Sequence, residues 1–376
     1  MKNKIVYLDY SATTKIDKSV LEYFNLISEE FYANPNSNHK LGSKSQEIID
    51  DTIDNITSFF NIKKSELIFT SGATESNNMA LKGVYNNDKK HIITTMLEHS
   101  SIYGPLGYLQ KEGYKIEFVS LKKDGTVDLN KLKNMITDET LLVSIVAVDS
   151  ELGIRQPIEE IGKLLKNYDG IYFHSDITQC LGKDQIDISN VDLASFSGHK
   201  LYCFKGIGGL IKKEHVKMIP LIHGGKSISE YRSGTPQTEL IGALNETFNQ
   251  LKKDILEKKK HIKNLNDIIR SHIKKYNAIK INSTNKSIPH ILNISFLNKN
   301  SNSIQEYFEK HNIFVSTKTA CASKSDLSKS VLIVTNDEDR AFSSIRISLS
   351  YKTTKKEVVY FLKILDKLMG EYDEID

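Results

Sequence analysis

The chain of 376 residues has little of what marks several protein classes. Its three cysteines, Cys180, Cys203 and Cys321, are odd in number and widely spaced. That argues against a disulfide framework, and no pair stands at zinc-finger spacing. Formal net charge is only +4, from 51 Lys and Arg against 47 Asp and Glu. So small an imbalance calls for neither nucleic acid nor a membrane surface as partner. No apolar run reaches the length of a membrane span, and Met1-Lys2-Asn3-Lys4-Ile5 lacks a signal-peptide core. A protein of the reducing cytoplasm, with each thiol judged singly, is the expectation.

What is present is ordinary for a soluble globular protein: 39% hydrophobic and 26% charged residues, over a length sufficient for two domains. Short apolar runs alternate with helical spacing. Glu66–Thr70, His91–Thr95, Lys115–Leu121, Leu141–Val148, the run Gly170–Gln179 with its polar end, and Val191–Phe196 read as strands. Leu21–Ile27, Ser43–Phe60 and Ile158–Tyr168 read as helices. This alternation predicts an α/β fold, a mainly parallel sheet covered by helices. From Thr238 to Tyr276 the apolar residues keep helical spacing, as one connecting helix or two. The domain boundary is placed there. Residues 15–250 form the large domain, and 1–14 with 251–376 form a smaller α+β domain.

In an open parallel sheet, chemistry collects at the carboxyl ends of strands. One strand ends in Asp176-Ile177-Thr178-Gln179, and the next runs into Ser197-Gly198-His199-Lys200. A lysine beside hydroxyl and imidazole groups, with a carboxylate on a neighbouring strand, suits pyridoxal 5'-phosphate. The lysine can form a Schiff base with its aldehyde, and the aspartate can keep its ring nitrogen protonated. A second stretch, Thr70-Ser71-Gly72-Ala73-Thr74, turns from a strand into a helix. Its free backbone N–H groups and the Thr74 hydroxyl suit a phosphate, unless Ser71 or Thr74 serves as a plain helix cap. His99, just past a strand end, is placed to stack on a planar ring or to lie exposed. The glycines of Lys205–Ile211 precede a strand, so they are no dinucleotide fingerprint. Cys321 lies among small, polar and cationic residues, Lys318 and Lys324 included. Such a loop suits either a thiolate or an adventitious surface thiol, whereas an apolar run would mark a packing thiol. Cys180 and Cys203 read as packing thiols.

Together these stretches, in this order, resemble the cysteine desulfurases of the class V aminotransferase-like, pyridoxal-phosphate fold type I proteins. The resemblance runs from Tyr7-Leu8-Asp9 to Ser344-Ile345-Arg346. It implies Lys200 as the Schiff-base lysine, Asp176 as partner of the ring nitrogen and Gln179 as a ring-hydroxyl contact. It implies His99 as the stacking histidine, which also carries protons, and Ala73, Thr74, Ser197 and His199 as phosphate binders. Thr235 would be a phosphate contact given by the other subunit of a homodimer. Arg346 would hold the substrate carboxylate, with Asn34 near it, and Cys321 would be the nucleophile on a mobile loop.

The implied reaction turns L-cysteine into L-alanine and leaves a persulfide on Cys321, with Lys200 or His99 as base. A sulfur-acceptor or scaffold protein, serving iron–sulfur cluster assembly or tRNA thiolation, would take the sulfur. The family usually has asparagine where Ser150 stands after Asp149, and glycine-proline where Cys203-Phe204 stand; the lysine usual after Glu98-His99 is Ser100. A selenocysteine lyase, another lyase or aminotransferase with this cofactor, and a non-catalytic scaffold are the competing readings.

Overall fold

The computed structural model describes residues 5–85, 88–225, 227–317 and 327–373. Among them the strands are β1 (Val6–Tyr7), β2 (Leu67–Thr70), β3 (His91–Thr94), β4 (Lys115–Phe118), β5 (Thr140–Ser144) and β6 (Tyr172–Asp176). They continue as β7 (Leu193–Ser197), β8 (Gly208–Lys212), β9 (Ile279–Ile281), β10 (Ile291–Phe296), β11 (Ile313–Phe314) and β12 (Ser344–Ser348).

The main sheet has the order β2-β8-β7-β6-β5-β3-β4. Strands β4, β3, β5, β6 and β7 pair in parallel, and β8 runs antiparallel between β7 and β2. Its central strands β5, β6 and β7 are buried along almost their whole length, as a sheet covered on both faces requires. Val143, Phe173 and Ala194 lie in one core and Leu142, Leu193 and Leu210 in another. The parallel strands share one carboxyl edge, so Asp176, Ser197 and the residues after Thr70, Thr94 and Ser144 come out on the same side.

The glycines that enter β8 have a packing reason. A Cβ on Gly208 would overlap the Phe196 carbonyl oxygen and come within 2.7 Å of the Gly72 Cα, and one on Gly209 would meet the Phe196 ring at 2.5 Å. Only bare backbone lets β8 lie this close to β7 and to the turn after β2.

The second sheet is antiparallel, with the order β12-β10-β9, and β1 pairs with β11 beside it. Val6, Leu8, Ile262, Leu292, Ile345 and Phe361 share a separate core there. The long helical pattern after Thr238 is two helices, Thr238–Leu251 and Ile255–Ile273. The break falls at Asp254, whose φ of 53° is left-handed and incompatible with a continuing helix. Several elements differ in extent from the sequence-based expectation. The Leu21–Ile27 helix spans Lys18–Glu30, and the Leu141–Val148 strand ends at Ser144. Beyond Ser144 the chain stays buried and still bonds to β6, the Ile145 N–H to the His174 carbonyl at 3.0 Å and the Ala147 N–H to the Asp176 carbonyl at 2.9 Å, before Val148 bridges Arg155 at the cleft described next.

Candidate functional site

A cleft of about 340 Å³ opens at the carboxyl edge of the main sheet. Ala73, Thr74, His99, Ser150, Asp176, Gln179, Ser197, His199, Lys200 and Arg346 line it together. With Ser11 also on its wall, residues up to 335 positions apart in sequence thus meet, from Ser11 to Arg346.

At one end the turn after β2 leads into the helix Ala73–Gly83. Its N-cap is Gly72, whose φ of 146° suits glycine alone, and no side chain caps it. Ser71 and Thr74 therefore do not serve as side-chain caps. The first-turn N–H groups of this helix face the cleft beside Ser197, whose Oγ would lie 3.3 Å from a Cβ on Gly72. Such a terminus is an anion site. His199 lies alongside, its Nδ1 3.1 Å from Thr13 Oγ1. Burial, with the lysines Lys200 and Lys183 beside it, lowers its pKa to about 4, so the ring is neutral at pH 7.

Asp176 closes β6 and is 5% exposed. Its Oδ2 accepts a hydrogen bond from Asn77 Nδ2 at 2.8 Å and its Oδ1 accepts one from the Thr178 N–H at 2.9 Å. Lys200 follows β7, and its Nζ donates to the Ser11 carbonyl oxygen. The same carbonyl accepts from Gln179 Nε2 at 2.9 Å, while Gln179 Oε1 accepts from Lys183 Nζ at 2.8 Å. An ammonium can only donate. Lys183 thereby fixes the Gln179 amide with its NH₂ group on the Ser11 side. Desolvation, and then the neighbouring Lys200, lower the Lys183 pKa to about 7.

At the other end stands Arg346, in the middle of β12 and 2% exposed. Its Nη2 donates to Asp9 Oδ1 at 2.7 Å and its Nη1 to the Ser150 carbonyl at 2.9 Å. Ser150 thus meets Arg346 through its backbone. Asp149 beside it is buried, and desolvation followed by the nearby Glu151 raises its pKa to about 7.

Two residues named from the sequence do not line the cleft of the single chain: Asn34 and Thr235, both exposed. Cys321 lies outside the described residues. Cys180 and Cys203 are buried, and burial pushes their thiols up to about 12 and about 11. Sequence reasoning missed Ser11, Asn77, Ser101 and Lys183. Asn77 had a signal, since it lies one helical turn past Thr74 and so returns to the same side of its helix.

A lysine, a carboxylate at a neighbouring strand end and an uncapped helix terminus at one sheet edge define a pyridoxal-phosphate enzyme of the aminotransferase type. The chain belongs to the class-V aminotransferase family, whose pattern matches residues 6–361. The cysteine desulfurase IscS of Buchnera aphidicola subsp. Acyrthosiphon pisum is 37% identical, over 98% of this chain and 94% of that protein. The protein of the same name from Rickettsia bellii is 38% identical, over 96% of this chain and 90% of that protein. A solved NifS-like protein superposes with a TM-score of 0.92 at 31% identity, covering 98% of this chain and all of that one.

The residues present fit the family's cofactor. The Thr178 hydroxyl and Arg346 Nε are buried without a partner among the described residues, and both belong to residues that line the cleft. Buried polar groups of this kind normally find a partner, and a bound ligand supplies one.

Proposed function

We propose that this chain is a pyridoxal-phosphate-dependent cysteine desulfurase, converting L-cysteine to L-alanine and collecting the sulfur as a persulfide on Cys321. The observation that carries the reading is the meeting of Lys200, Asp176, His99 and Arg346 in one cleft. The names and coverage of the relatives support it.

Lys200 would be the covalent anchor of the cofactor, Asp176 and Gln179 its ring contacts, and Gly72–Thr74 with Ser197 and His199 its phosphate cradle. Bound there, the cofactor supplies a sink for the negative charge left at the amino acid's α-carbon when its proton is removed. Arg346 offers a guanidinium to the substrate carboxylate. Lys200 Nζ, at the strand end, takes the α-proton. The Cys321 thiolate attacks the substrate sulfur: an S–S bond forms, the Cβ–S bond breaks, and a proton takes the place of sulfur on Cβ.

The persulfide then passes to an acceptor protein, as iron–sulfur cluster assembly or tRNA thiolation requires. Thr235 of a second copy completes the phosphate contacts in a homodimer, which accounts for its exposure in the single chain. The two separate cores support a division near residue 250, with residues 1–14 joined to the second unit. Among the described residues no helix is long and apolar enough to cross a membrane, and the cytoplasm is the proposed location.

The test is to mix the purified yellow protein with L-cysteine and assay alanine and persulfide together. Equal amounts of both are expected, with both lost in Cys321→Ser and Lys200→Ala. A spectrum that shifts with cysteine but yields no persulfide would keep the cofactor and sink the reaction.

A further inference from the structure

His99 has two ring nitrogens, and the fold has already assigned one of them. The residue is the N-cap of the helix Ser100–Lys111, and its Nδ1 accepts the backbone N–H of Ser101 at 3.2 Å. A backbone N–H can only donate, so Nδ1 carries a lone pair and the neutral ring has its hydrogen on Nε2. The Ser101 hydroxyl lies 2.8 Å from the same Nδ1. Facing a lone pair, it must donate there.

The hydroxyl oxygen in turn accepts from Asn77 Nδ2 at 2.9 Å. The second hydrogen of that NH₂ group goes to Asp176 Oδ2 at 2.8 Å. Reversing the amide would set its carbonyl against the carboxylate, acceptor against acceptor, so Asp176 fixes the way Asn77 faces. From Asp176 to His99 each polar group then has one role left. Asn77 donates to both neighbours, Ser101 accepts from Asn77, and Ser101 donates to His99. The two links from Asn77 are buried and the Ser101–His99 link is half-buried; Asn77 is 0% and Ser101 7% exposed.

We propose that Ser101 is a positioning residue that, with the helix N-terminus, holds His99 as the neutral Nε2–H form. His99 then presents a proton donor to the cleft, and Lys200 is left as the base. The assignment of acid and base rests on the desulfurase reading; the state of the ring does not. The charged and titratable groups acting on His99 are Asp176 and Lys200, with His199 on the cleft wall. Burial lowers the His99 pKa, Lys200 lowers it further, and Asp176 opposes both. The neutral ring is the form that accepts both Ser101 donors.

Nitrogen-15 NMR of the full chain labelled at histidine tests this, with the His99 signals identified by their loss in His99→Gln. The wild-type ring should carry its hydrogen on Nε2 at neutral pH. Ser101→Ala should raise the ring's pKa, because only the backbone N–H then donates to Nδ1 of the neutral ring, and Ser101→Thr should restore the wild-type spectrum. In turnover, Ser101→Ala should lower kcat about tenfold, a part of the roughly 10²–10⁴ that a positioned acid contributes, with KM for L-cysteine little changed. A wild-type ring protonated at Nδ1 would overturn the proposal, as would a Ser101→Ala ring that keeps the wild-type pKa. Should Ser101→Ala not fold, the wild-type and Ser101→Thr spectra still decide. If the chain makes no alanine although the Nε2–H form is seen, the desulfurase reading fails and the role of Ser101 stands.

Discussion

The two sheets serve the cleft in different ways. The main sheet gives strand ends: Asp176 closes β6, Ser197 closes β7, and Gly72–Thr74 follow β2. At a strand end the backbone has left its ladder, so a helix first turn such as that from Ala73 can offer N–H groups to a ligand and a short side chain suffices. The second sheet gives one residue, Arg346, from the middle of β12, where the backbone is committed to pairing with Asn293 on β10. It reaches the cleft only by length, and it is held by Asp9 and the Ser150 carbonyl, groups that lie outside its own sheet. The difference is between a site made of backbone placement and a site made of one long, buried, paired charge. The second kind should be the more brittle.

The sharpest way to break the comparison is therefore at Arg346. Arg346→Lys keeps the charge but loses the planar fork that binds a carboxylate through two parallel bonds. The loss of a charge-assisted hydrogen bond predicts KM for L-cysteine up roughly 10- to 100-fold, with kcat less affected. Steady-state kinetics check it, and an unchanged KM would remove Arg346 from substrate binding. Asp9→Asn probes the other half of the pair. It leaves a buried guanidinium facing a neutral partner, a change that costs about 3–5 kcal/mol for fully buried pairs. The Asp9 side chain is 19% exposed, so a loss of about 2 kcal/mol in denaturant unfolding is expected.

This same difference decided what the sequence could reveal. Strand ends announce themselves, because an apolar run stops at polar residues. Asp176, Gln179, Ser197, Lys200 and the Gly72–Thr74 turn were all legible that way. Arg346 was not; inside Ser344–Leu349 it reads as an ordinary strand residue, and only its match to a family motif singled it out. Lys183 is a buried lysine that local pattern assigns to the surface. Ser11 acts through its carbonyl, which no side-chain pattern encodes. The antiparallel course of β8 was hidden because strand direction depends on a distant partner. The break before Ile255 was hidden because the apolar spacing continues across it while Asp254 turns left-handed.

The next prediction tests backbone placement itself. Gly208→Ala puts a methyl group against the Phe196 carbonyl and the Gly72 Cα, neither of which is a flexible side-chain end. Overpacking of this kind costs about 1–3 kcal/mol, and one of the two backbone segments it presses on is the turn proposed as the phosphate cradle. Lower unfolding stability should therefore come with weaker retention of the cofactor on dialysis. Gly107→Ala is the control. It lies within the helix Ser100–Lys111 with nothing within 4 Å of a new Cβ, and it should stabilise by about 0.5–1 kcal/mol. If both substitutions weaken cofactor retention equally, close approach at Gly208 is not what shapes the cradle.

The smallest expected effect contrasts the Arg346–Asp9 pair with buried acids that lack a cation. Glu98 is buried beside the cleft, where Oε1 accepts from Thr95 Oγ1 at 2.7 Å and from the Val146 N–H at 2.9 Å. Desolvation raises its pKa to about 8, only partly offset by those two bonds. The folded chain thus holds a proton that the unfolded chain releases above its ordinary carboxyl range. Between about pH 4.5 and pH 8 the native state binds more protons than the unfolded state, so stability falls as pH rises through that window. Asp149, raised to about 7, acts with the same sign over the lower part of the range. Glu98→Gln keeps the shape and the acceptor while removing the titration. It should flatten the decline between pH 5 and pH 8 by about 1 kcal/mol or more, since each tenfold difference in proton affinity between the two states is worth roughly 1.4 kcal/mol. Urea midpoints at several pH values read it directly. A variant whose stability keeps the wild-type slope would mean that Glu98 is ionised in the fold, and that Thr95 and Val146 suffice to hold a buried carboxylate.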